Sequence, residues 1–292
     1  MTWGPQRRTA RRYADRKLSQ GYPDLDRRAL ATYIATLDAR RDDTPRTERL
    51  LTYFGRLIDL SCHPNILVLG CGPKPAPMRV LLQRGCNVVG VDPVPSFVRT
   101  AGEFLGTPHR VVEGRAEKIP LPACSQDIVL LESVLEHVDS PVDSLKEIHR
   151  VLRPGGIVFV ITTNRYAVSL NGFNGEFNVP FFNWLPGNFK ESFIFFHLHF
   201  DPRIANYTER PAVHWFSFSE LCSIGRAAGF SRFYSLLDLQ DADDAVIGGA
   251  PRSAIRRLAR GLALHAVHST PWLRGLALTI TDHGGQIIML KV

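Results

Sequence analysis

The sequence has no pair of cysteines in C-x-x-C spacing, although five of its 292 residues are cysteine. Neither a zinc site nor a disulfide framework is expected, and an odd number of thiols favours a reducing compartment. No apolar run approaches the roughly 18 residues that a membrane-spanning helix needs, and no apolar segment follows the basic amino terminus. We therefore expect a cytoplasmic protein without a secretory signal or a metal site.

Acidic residues are scarce at both ends of the chain. Residues 1–17 and residues 251–292 each contain six Lys or Arg and one Asp, which gives +5 per segment within an overall net charge of +7. An amphipathic helix is predicted over residues 252–267, with its arginines opposite its apolar side. Such segments can attract an anionic membrane surface, giving peripheral association, or nucleic acid; they can equally form a solvated face.

Apolar strands alternate with helices from residue 65 onward. Strands are predicted over residues 66–69, 87–91, 109–113, 127–131, 157–162, 230–239 and 286–291. Helices are predicted over residues 24–40, 45–60, 77–84, 96–105, 140–152, 219–228 and 252–267. Strands that are apolar throughout and joined by helices are typical of a parallel sheet covered on both faces. The sequence thus predicts a Rossmann-like, doubly wound α/β fold with a mostly parallel seven-stranded sheet.

The chain organises around this sheet. An arm and helices over residues 1–61 precede an α/β domain over residues 62–292, which carries a basic helical insertion at 241–283. A second insertion, residues 163–218, follows strand five and holds fifteen of the 28 aromatic residues (4 Trp, 7 Tyr, 17 Phe). It is too long for an ordinary loop. Part of it must form its own small core, and the excess predicts a cap over a site or a surface for an apolar partner.

A nucleoside-binding pattern lies at the ends of the first two strands. Gly70-Cys71-Gly72 follows strand one, and Asp92 ends strand two. Ligands of open α/β sheets bind beyond the carboxyl ends of the strands, where an acid can accept hydrogen bonds from ribose hydroxyls. Pro75 interrupts the G-x-G-x-x-G pattern of dinucleotide sites. A nucleoside cofactor without a pyrophosphate therefore fits better.

Three segments within residues 66–160 carry a family resemblance. They read ILVLGCG, VVGVDP and GRAEKIPLPACSQDIVLLESVLEHVDSPVDSLKEIHRVLRPGGIVFV. In this order they resemble motifs of the class I S-adenosylmethionine (SAM)-dependent methyltransferases, in particular the group that methylates small molecules, lipids and sugars. The resemblance implies SAM as the cofactor.

The same resemblance implies residue roles at the first two strands. Gly70, Cys71 and Gly72 should wrap the methionine part of SAM. Asp92, which Pro93 follows in the second motif, should hold the ribose hydroxyls.

Further roles are implied beyond strands three and four. The Arg115-Ala116 turn should lie against the adenine, with a backbone N–H reading a ring nitrogen. Glu132 and Ser133 should face the amino-acid end of the cofactor. His137 occupies the family's Glu-His-Val position and could transfer a proton or simply pack near the site.

Three positions depart from the family pattern. Val68 stands where many members have an acid that supports the ammonium group, Lys74 replaces a third glycine, and Arg115 replaces an aspartate that reads the adenine amino group. Each charged hydrogen bond lost should weaken cofactor binding by about 1–3 kcal/mol. Glu132 or Glu117 could compensate.

The acceptor side is predicted to use histidines of the 163–218 insertion. His214, which precedes Trp215-Phe216-Ser217, is the first candidate for a base or substrate contact, and His199 is the second. His197, His199 and Asp201 could instead form part of a metal site, but no further ligand cluster accompanies them.

The pattern favours methyl transfer to a hydroxyl oxygen, and less so to nitrogen, of a small molecule, saccharide or lipid-linked acceptor such as a glycolipid. A tRNA or rRNA methyltransferase is an alternative because of the basic termini, but N-P-P-Y is absent after strand four and no Pro-Cys supplies a nucleophilic thiol. A non-catalytic binding module is the other alternative, given Val68, Lys74 and Arg115.

Overall fold

The computed structural model describes residues 30–31, 34–35, 37, 44–61, 63–167, 214–240 and 254–292, the side chains of 254–260 and 282–283 excepted. The strands are β1 Asn65–Leu69, β2 Asn87–Asp92, β3 Val111–Glu113, β4 Gln126–Glu132, β5 Leu152–Ile161, β6 Arg232–Ser235 and β7 Gln286–Leu290. The helices are α1 Thr44–Gly55, α2 Ala76–Gln83, α3 Pro95–Leu105, α4 Pro141–Val151, α5 Phe218–Ala227, α6 Leu236–Leu239, α7 Ala254–Ser269 and α8 Pro271–Ile280. Of the predicted helix over residues 24–40, the five described residues are helical.

All seven strands join one sheet in the order β3-β2-β1-β4-β5-β7-β6. The pairs from β3 through β5 are parallel, whereas β7 runs antiparallel to both β5 and β6. The strand order reverses between β1 and β4, which makes their carboxyl ends the switch point where such sheets bind ligands. The predicted α/β Rossmann-like fold is confirmed.

Successive residues of each strand point to opposite faces of the sheet and belong to two separate hydrophobic cores. In β1, Leu67 and Leu69 pack on one face with α4 and α5. Ile66 and Val68 pack on the other face with α1, α2 and α3. Because every central strand is buried on both faces, it must be apolar throughout, which is why the strand pattern could be read from the sequence.

Helix α1 fastens the segment before the sheet to the second face. Leu50, Tyr53 and Phe54 are buried, and the ring of Phe54 meets the ring of Phe159 in β5 edge-on, with centroids 5.7 Å apart. Thr44 begins the helix and Pro45 follows within its first turn, where a proline costs no hydrogen bond. Packing of this face brings the first turn of α1 to the carboxyl end of β4.

The predicted strand over residues 230–239 is wrong in its second half. The strand ends at Ser235, and Leu236–Leu239 form a helical turn. Ser235 donates its hydroxyl and its backbone N–H to the Asp238 carboxylate, a capping box that closes the start of the turn. Leu236, Leu237 and Leu239 are all buried in this turn, and a short apolar run does not by itself distinguish a strand from a helical turn.

Helices α7 and α8 form a helical hairpin that leads into β7. The basic helix predicted over residues 252–267 is therefore observed as α7, and α8 is a second helix that was not distinguished from the sequence. Across the described ranges, no helix is both long enough and apolar enough to cross a membrane.

Candidate functional site

The loop after β1 approaches β2 through two glycines. Gly70 and Gly72 have φ of 68° and 65°, in the left-handed region that suits glycine. A side chain at Gly70 would overlap Val134, whereas a β-carbon at Gly72 would have no heavy atom within 4 Å. Gly70 is therefore required for packing, and Gly72 borders open space that a ligand can approach.

Asp92 ends β2 and anchors this loop. Its Oδ2 accepts the backbone N–H of Gly72 over 2.9 Å, and its Oδ1 accepts the N–H of Val94 over 3.0 Å. The side chain is only 4% exposed. Burial raises the pKa of Asp92 to about 6, because desolvation disfavours the charged carboxylate more than these two hydrogen bonds favour it.

Cys71 lies between the two glycines and is half-buried. Desolvation, and then the charge of Asp92, raises the pKa of its thiol above the ordinary range. A neutral thiol is a poor nucleophile, and Cys71 packs against the core on the second face of the sheet. Pro93 is also half-buried, directly after Asp92.

Glu132 ends β4 beside this loop, because β1 and β4 pair in register with Leu69 opposite Leu131. Its Oε2 accepts a hydrogen bond from Arg46 Nη1 in α1 over 2.8 Å, and both side chains are about a quarter exposed. Its Oε1 is buried and has no hydrogen-bond partner within the described ranges. A buried carboxylate oxygen without a partner is costly, and such an atom often marks a ligand position.

Ser133 turns the chain away from the sheet immediately after Glu132. Its φ is 53°, which is unusual for a residue other than glycine, and its side chain is exposed. The backbone N–H of Ser133 donates to the carbonyl of Ile161 over 2.8 Å, so the end of β5 holds the turn in place. Strained backbone of this kind is frequent at functional sites.

Arg115 and Ala116 follow β3, and the structure places Arg115 in an ion-pair network. The guanidinium contacts the Asp139 carboxylate and lies 3.7 Å from Glu117 Oε2. Glu117 Oε1 in turn accepts the backbone N–H of Asp139 over 2.7 Å. The turn that contains buried Ala116 is therefore tied to the segment that follows β4.

His214 packs against the segment after β4. Its backbone N–H donates to the carbonyl of Glu136 over 3.2 Å, and its ring Nε2 lies 2.9 Å from the carbonyl oxygen of Val138. A carbonyl can only accept, so Nε2 carries the proton and Nδ1 carries the lone pair in the neutral ring. The side chain of His214 is 4% exposed.

The segment Glu136-His137-Val138 is fastened to the residue that follows β5. The hydroxyl of Thr162 donates to Glu136 Oε2 over 2.8 Å, and both side chains are buried. His137 is half-buried, and its backbone N–H donates to the carbonyl of Val134 over 2.9 Å.

The structure thus brings most of the predicted residues to one edge of the sheet, and leaves others undescribed. The loops that hold Gly70–Gly72, Asp92–Pro93, Arg115–Ala116, Glu132–Ser133, His137 and His214 all meet at the carboxyl ends of the parallel strands. His197, His199 and Asp201 lie outside the described residues. No group of three or more possible metal ligands occurs among the residues that the structure describes.

Arg46 and Asp139 were missed in the sequence. Each forms an ion pair with a predicted site residue that is distant in the sequence. Arg46 and Glu132 are 86 positions apart, and Asp139 and Arg115 are 24 positions apart. Arginine in the first turn of an ordinary surface helix gives no sequence signal of such a role. Asp139 directly precedes Ser140, the residue that caps α4, so its place in the sequence indicates only a nearby helix start.

Comparisons with known proteins agree with this geometry. Residues 67–160 match the family model described as a methyltransferase domain. An uncharacterized methyltransferase of Mycobacterium bovis is 39% identical over 102 residues, which are 35% of this chain and 40% of that protein. A malonyl-[acyl-carrier protein] O-methyltransferase of Enterobacter lignolyticus is 29% identical over 143 residues, 49% of this chain and 48% of that protein.

A tRNA U34 carboxymethyltransferase of Saccharophagus degradans is 32% identical over 123 residues, 40% of this chain and 36% of that protein. The chain thus spans less than half the length of these curated relatives. The crystal structure of a candidate sarcosine dimethylglycine methyltransferase from Galdieria sulphuraria has a TM-score of 0.53 at 13% identity. It covers 90% of this chain and 98% of that one, and shows the fold alone. The domain over residues 67–160 belongs to the class I SAM-dependent methyltransferase family, whose cofactor is S-adenosylmethionine.

Proposed function

We propose that this protein is an enzyme that transfers the methyl group of SAM to a hydroxyl oxygen of a small molecule, saccharide or glycolipid. The observation that supports this best is the arrangement at the switch point. The buried Asp92 carboxylate borders the open space at Gly72, and the unpartnered Glu132 Oε1 lies at the end of the neighbouring strand. These groups fit the two polar ends of a nucleoside that carries an ammonium group.

The ribose end fits Asp92. Each of its oxygens accepts one backbone N–H and keeps a lone pair for a ribose hydroxyl. The methionine end fits Glu132, whose Oε1 can accept from the ammonium group while Oε2 stays paired with Arg46. In this proposal Glu132 replaces the acid that many members have at the position of Val68, so the departure at Val68 does not require loss of binding.

Bound at these residues, SAM would supply an electrophilic methyl group for the acceptor oxygen, with the electrons of the carbon–sulfur bond left on sulfur. The chain's own residues hold the reactants in line and receive the hydroxyl proton. We propose His214 Nδ1 as the atom that takes this proton, because the hydrogen bond from Nε2 to Val138 leaves the lone pair on Nδ1. His137 and His199 remain the other candidates from the sequence.

The acceptor pocket is proposed to be walled by the insertion over residues 163–218, within the domain over residues 62–292. Its two described ends support this. Phe216 donates its N–H to the carbonyl of Thr163 over 3.3 Å, and Arg165 donates its N–H to the carbonyl of Phe216 over 2.9 Å. The insertion therefore leaves and re-enters the fold side by side, at the edge where the cofactor is proposed to bind. A covered site also keeps water from the reaction.

Incubation of the protein with methyl-labelled SAM and fractionated cell extract tests the activity directly. We expect label in a small-molecule or lipid fraction, and none with an Asp92→Ala variant. Label in RNA, with binding that weakens steeply as salt rises, would favour the alternative of a tRNA or rRNA methyltransferase. The basic termini and the relative described as a tRNA carboxymethyltransferase motivate that alternative. Cofactor binding without any labelled product would support a non-catalytic binding module.

A further inference from the structure

The hairpin of α7 and α8 presents large apolar side chains to solvent. Leu262 in α7 is 64% exposed, and in α8 Trp272, Leu276 and Ile280 are 68%, 46% and 37% exposed. The three residues of α8 are spaced by four and so lie on one side of the helix. A surface helix of a globular protein ordinarily turns its polar side outward. Here the exposed side of α8 is apolar, and we refer to these four residues as the apolar stripe.

The opposite side of the hairpin is firmly attached to the domain. Leu264 of α7 and Leu278 of α8 are buried together with Leu237. Arg274 donates to both oxygens of Asp238, over 2.9 Å and 2.8 Å, and His268 Nε2 lies 2.6 Å from the carbonyl oxygen of Leu237. The apolar stripe is therefore the outer side of a helix pair whose inner side is already used for packing.

The charge of the hairpin indicates which kind of partner binds the apolar stripe. Between Ala254 and Ile280 the sequence contains four arginines and no aspartate or glutamate. Three of these arginines, Arg256, Arg257 and Arg260, belong to the first half of α7, and Arg274 is paired with Asp238. A helix pair with an exposed apolar side, a basic sequence and no acidic residue is the pattern of helices that lie in the surface of an anionic membrane. Tryptophan is enriched at the same interface, because its ring is apolar and its N–H is polar.

The hairpin also lies at the edge of the sheet that holds the candidate site. The Asn164 side chain, just after β5, donates to the carbonyls of Thr279 and Thr281 at the end of α8, over 3.0 Å and 2.6 Å. The chain then enters β7 at Gln286, opposite Ile161 at the carboxyl end of β5. A surface bound by the end of α8 would therefore lie next to the carboxyl edge of the sheet.

We propose that the α7–α8 hairpin docks this protein on an anionic phospholipid surface. Trp272, Leu276 and Ile280 enter the boundary between headgroups and acyl chains, and the positive charge of the α7 sequence attracts the anionic headgroups. This inference does not depend on methyl transfer, since it rests on the hairpin alone. If both hold, the acceptor would be presented from the membrane, which fits the lipid-linked class of acceptor.

The test is co-sedimentation of the 292-residue protein with phosphatidylcholine vesicles that contain or lack phosphatidylglycerol. Binding is expected only to the vesicles with phosphatidylglycerol. The double variant Trp272→Ser/Leu276→Ser should lower the apparent affinity about tenfold or more, because two apolar side chains no longer leave water. The matched control is Val292→Ser, which removes another apolar side chain that is 75% exposed and should bind like the unaltered protein.

Charge is tested separately with Arg256→Gln/Arg257→Gln, which should lower the affinity about tenfold or more. Lys146→Gln is its control, because Lys146 is an exposed cation of α4 that pairs with nearby Asp143. The affinity of each variant for S-adenosylhomocysteine shows whether the domain is folded. It should be unchanged, so failure of the membrane proposal and failure of the cofactor proposal can be told apart.

A third measurement needs no change to the stripe. With Trp3 and Trp184 replaced by Phe, the remaining tryptophans are buried Trp215 and exposed Trp272. Anionic vesicles should shift the emission to shorter wavelength, and brominated lipids should quench it. Absence of binding to anionic vesicles, or equal binding by the stripe variant, would overturn the proposal. So would a dimer that the stripe variant dissociates, because the stripe would then be covered by a second copy.

Discussion

Gly72 and Asp92 are joined by a hydrogen bond of 2.9 Å, from the backbone N–H of the first to Oδ2 of the second. The bond fastens the loop after β1 to the end of β2, and it leaves the carboxylate at the border of open space.

Lowering the pH should weaken cofactor binding through Asp92. In the proposed complex ribose hydroxyls would donate to the ionised carboxylate, so bound cofactor should bring the pKa of Asp92 below its value of about 6 in the free protein. Binding then releases a proton near pH 6, and the affinity for S-adenosylhomocysteine should fall as the pH drops from 7 to 5. Calorimetry in buffers of different ionisation enthalpy measures the proton directly.

Asp92→Asn should lower the affinity for S-adenosylhomocysteine about 10- to 100-fold at pH 7, because a charged hydrogen bond is lost. It should also abolish the pH dependence of this affinity. Asp127→Asn is the control, because Asp127 holds the N–H of Asn65 at the opposite end of the sheet. An unchanged pH dependence in Asp92→Asn would mean that another group titrates.

The pKa of Asp92 also affects the stability of the free protein. Its value in the folded state lies above the ordinary value of 3.8, so folding favours the protonated form. This contribution to stability is complete below about pH 4 and is lost as the pH rises through about 6. Added cofactor should remove this part of the pH dependence, which thermal unfolding at pH 5 to 7 with and without S-adenosylhomocysteine would measure.

Glu132→Gln should weaken binding of S-adenosylhomocysteine about 10- to 100-fold, because the ammonium group would lose a charged acceptor. Binding of 5′-methylthioadenosine, which lacks the amino-acid end, should change little. Glu48→Gln serves as the control variant, since it also removes a carboxylate paired with arginine, but at an exposed position of α1. If both ligands were weakened equally by Glu132→Gln, the residue would hold the loop in place rather than bind the ammonium group.

Two substitutions of His214 separate proton transfer from positioning. His214→Gln keeps an N–H that can reach Val138, whereas His214→Ala leaves that buried carbonyl without its partner. The alanine variant should lose about 1–3 kcal/mol of stability, and the glutamine variant should lose much less. If His214 takes the proton, both variants should lose turnover while S-adenosylhomocysteine still binds. Full turnover in the glutamine variant would restrict His214 to a positioning role.

Arg115 and Asp139 should be energetically coupled. A double-mutant cycle with Arg115→Ala and Asp139→Ala should give about 0.5 kcal/mol in the free energy of unfolding, a small value because about a third of the Arg115 side chain is exposed and solvent screens the pair. The coupling should decrease at high salt, and denaturant unfolding at two salt concentrations measures it. A coupling that does not respond to salt would indicate packing rather than charge.

The sequence by itself determined the sheet and the positions of Gly70, Gly72 and Asp92 at the ends of its first two strands. Strands buried on both faces must be apolar throughout, and glycines and an aspartate at strand ends are adjacent in the chain to the elements that position them. These signals are local, and so they can be read one segment at a time. The turn at Leu236–Leu239 was predicted as a strand because a short apolar run is compatible with either conformation.

Only the tertiary structure decided which distant residues meet. The ion pair of Arg46 with Glu132 depends on how α1 packs on the sheet, and the hydrogen bond of His214 to Val138 depends on how the chain re-enters after its insertion. The exposure of Trp272, Leu276 and Ile280 likewise depends on which side of α8 faces the domain. Helical periodicity marks two possible apolar sides in a sequence this rich in leucine, and only packing against Leu237 selects the buried one.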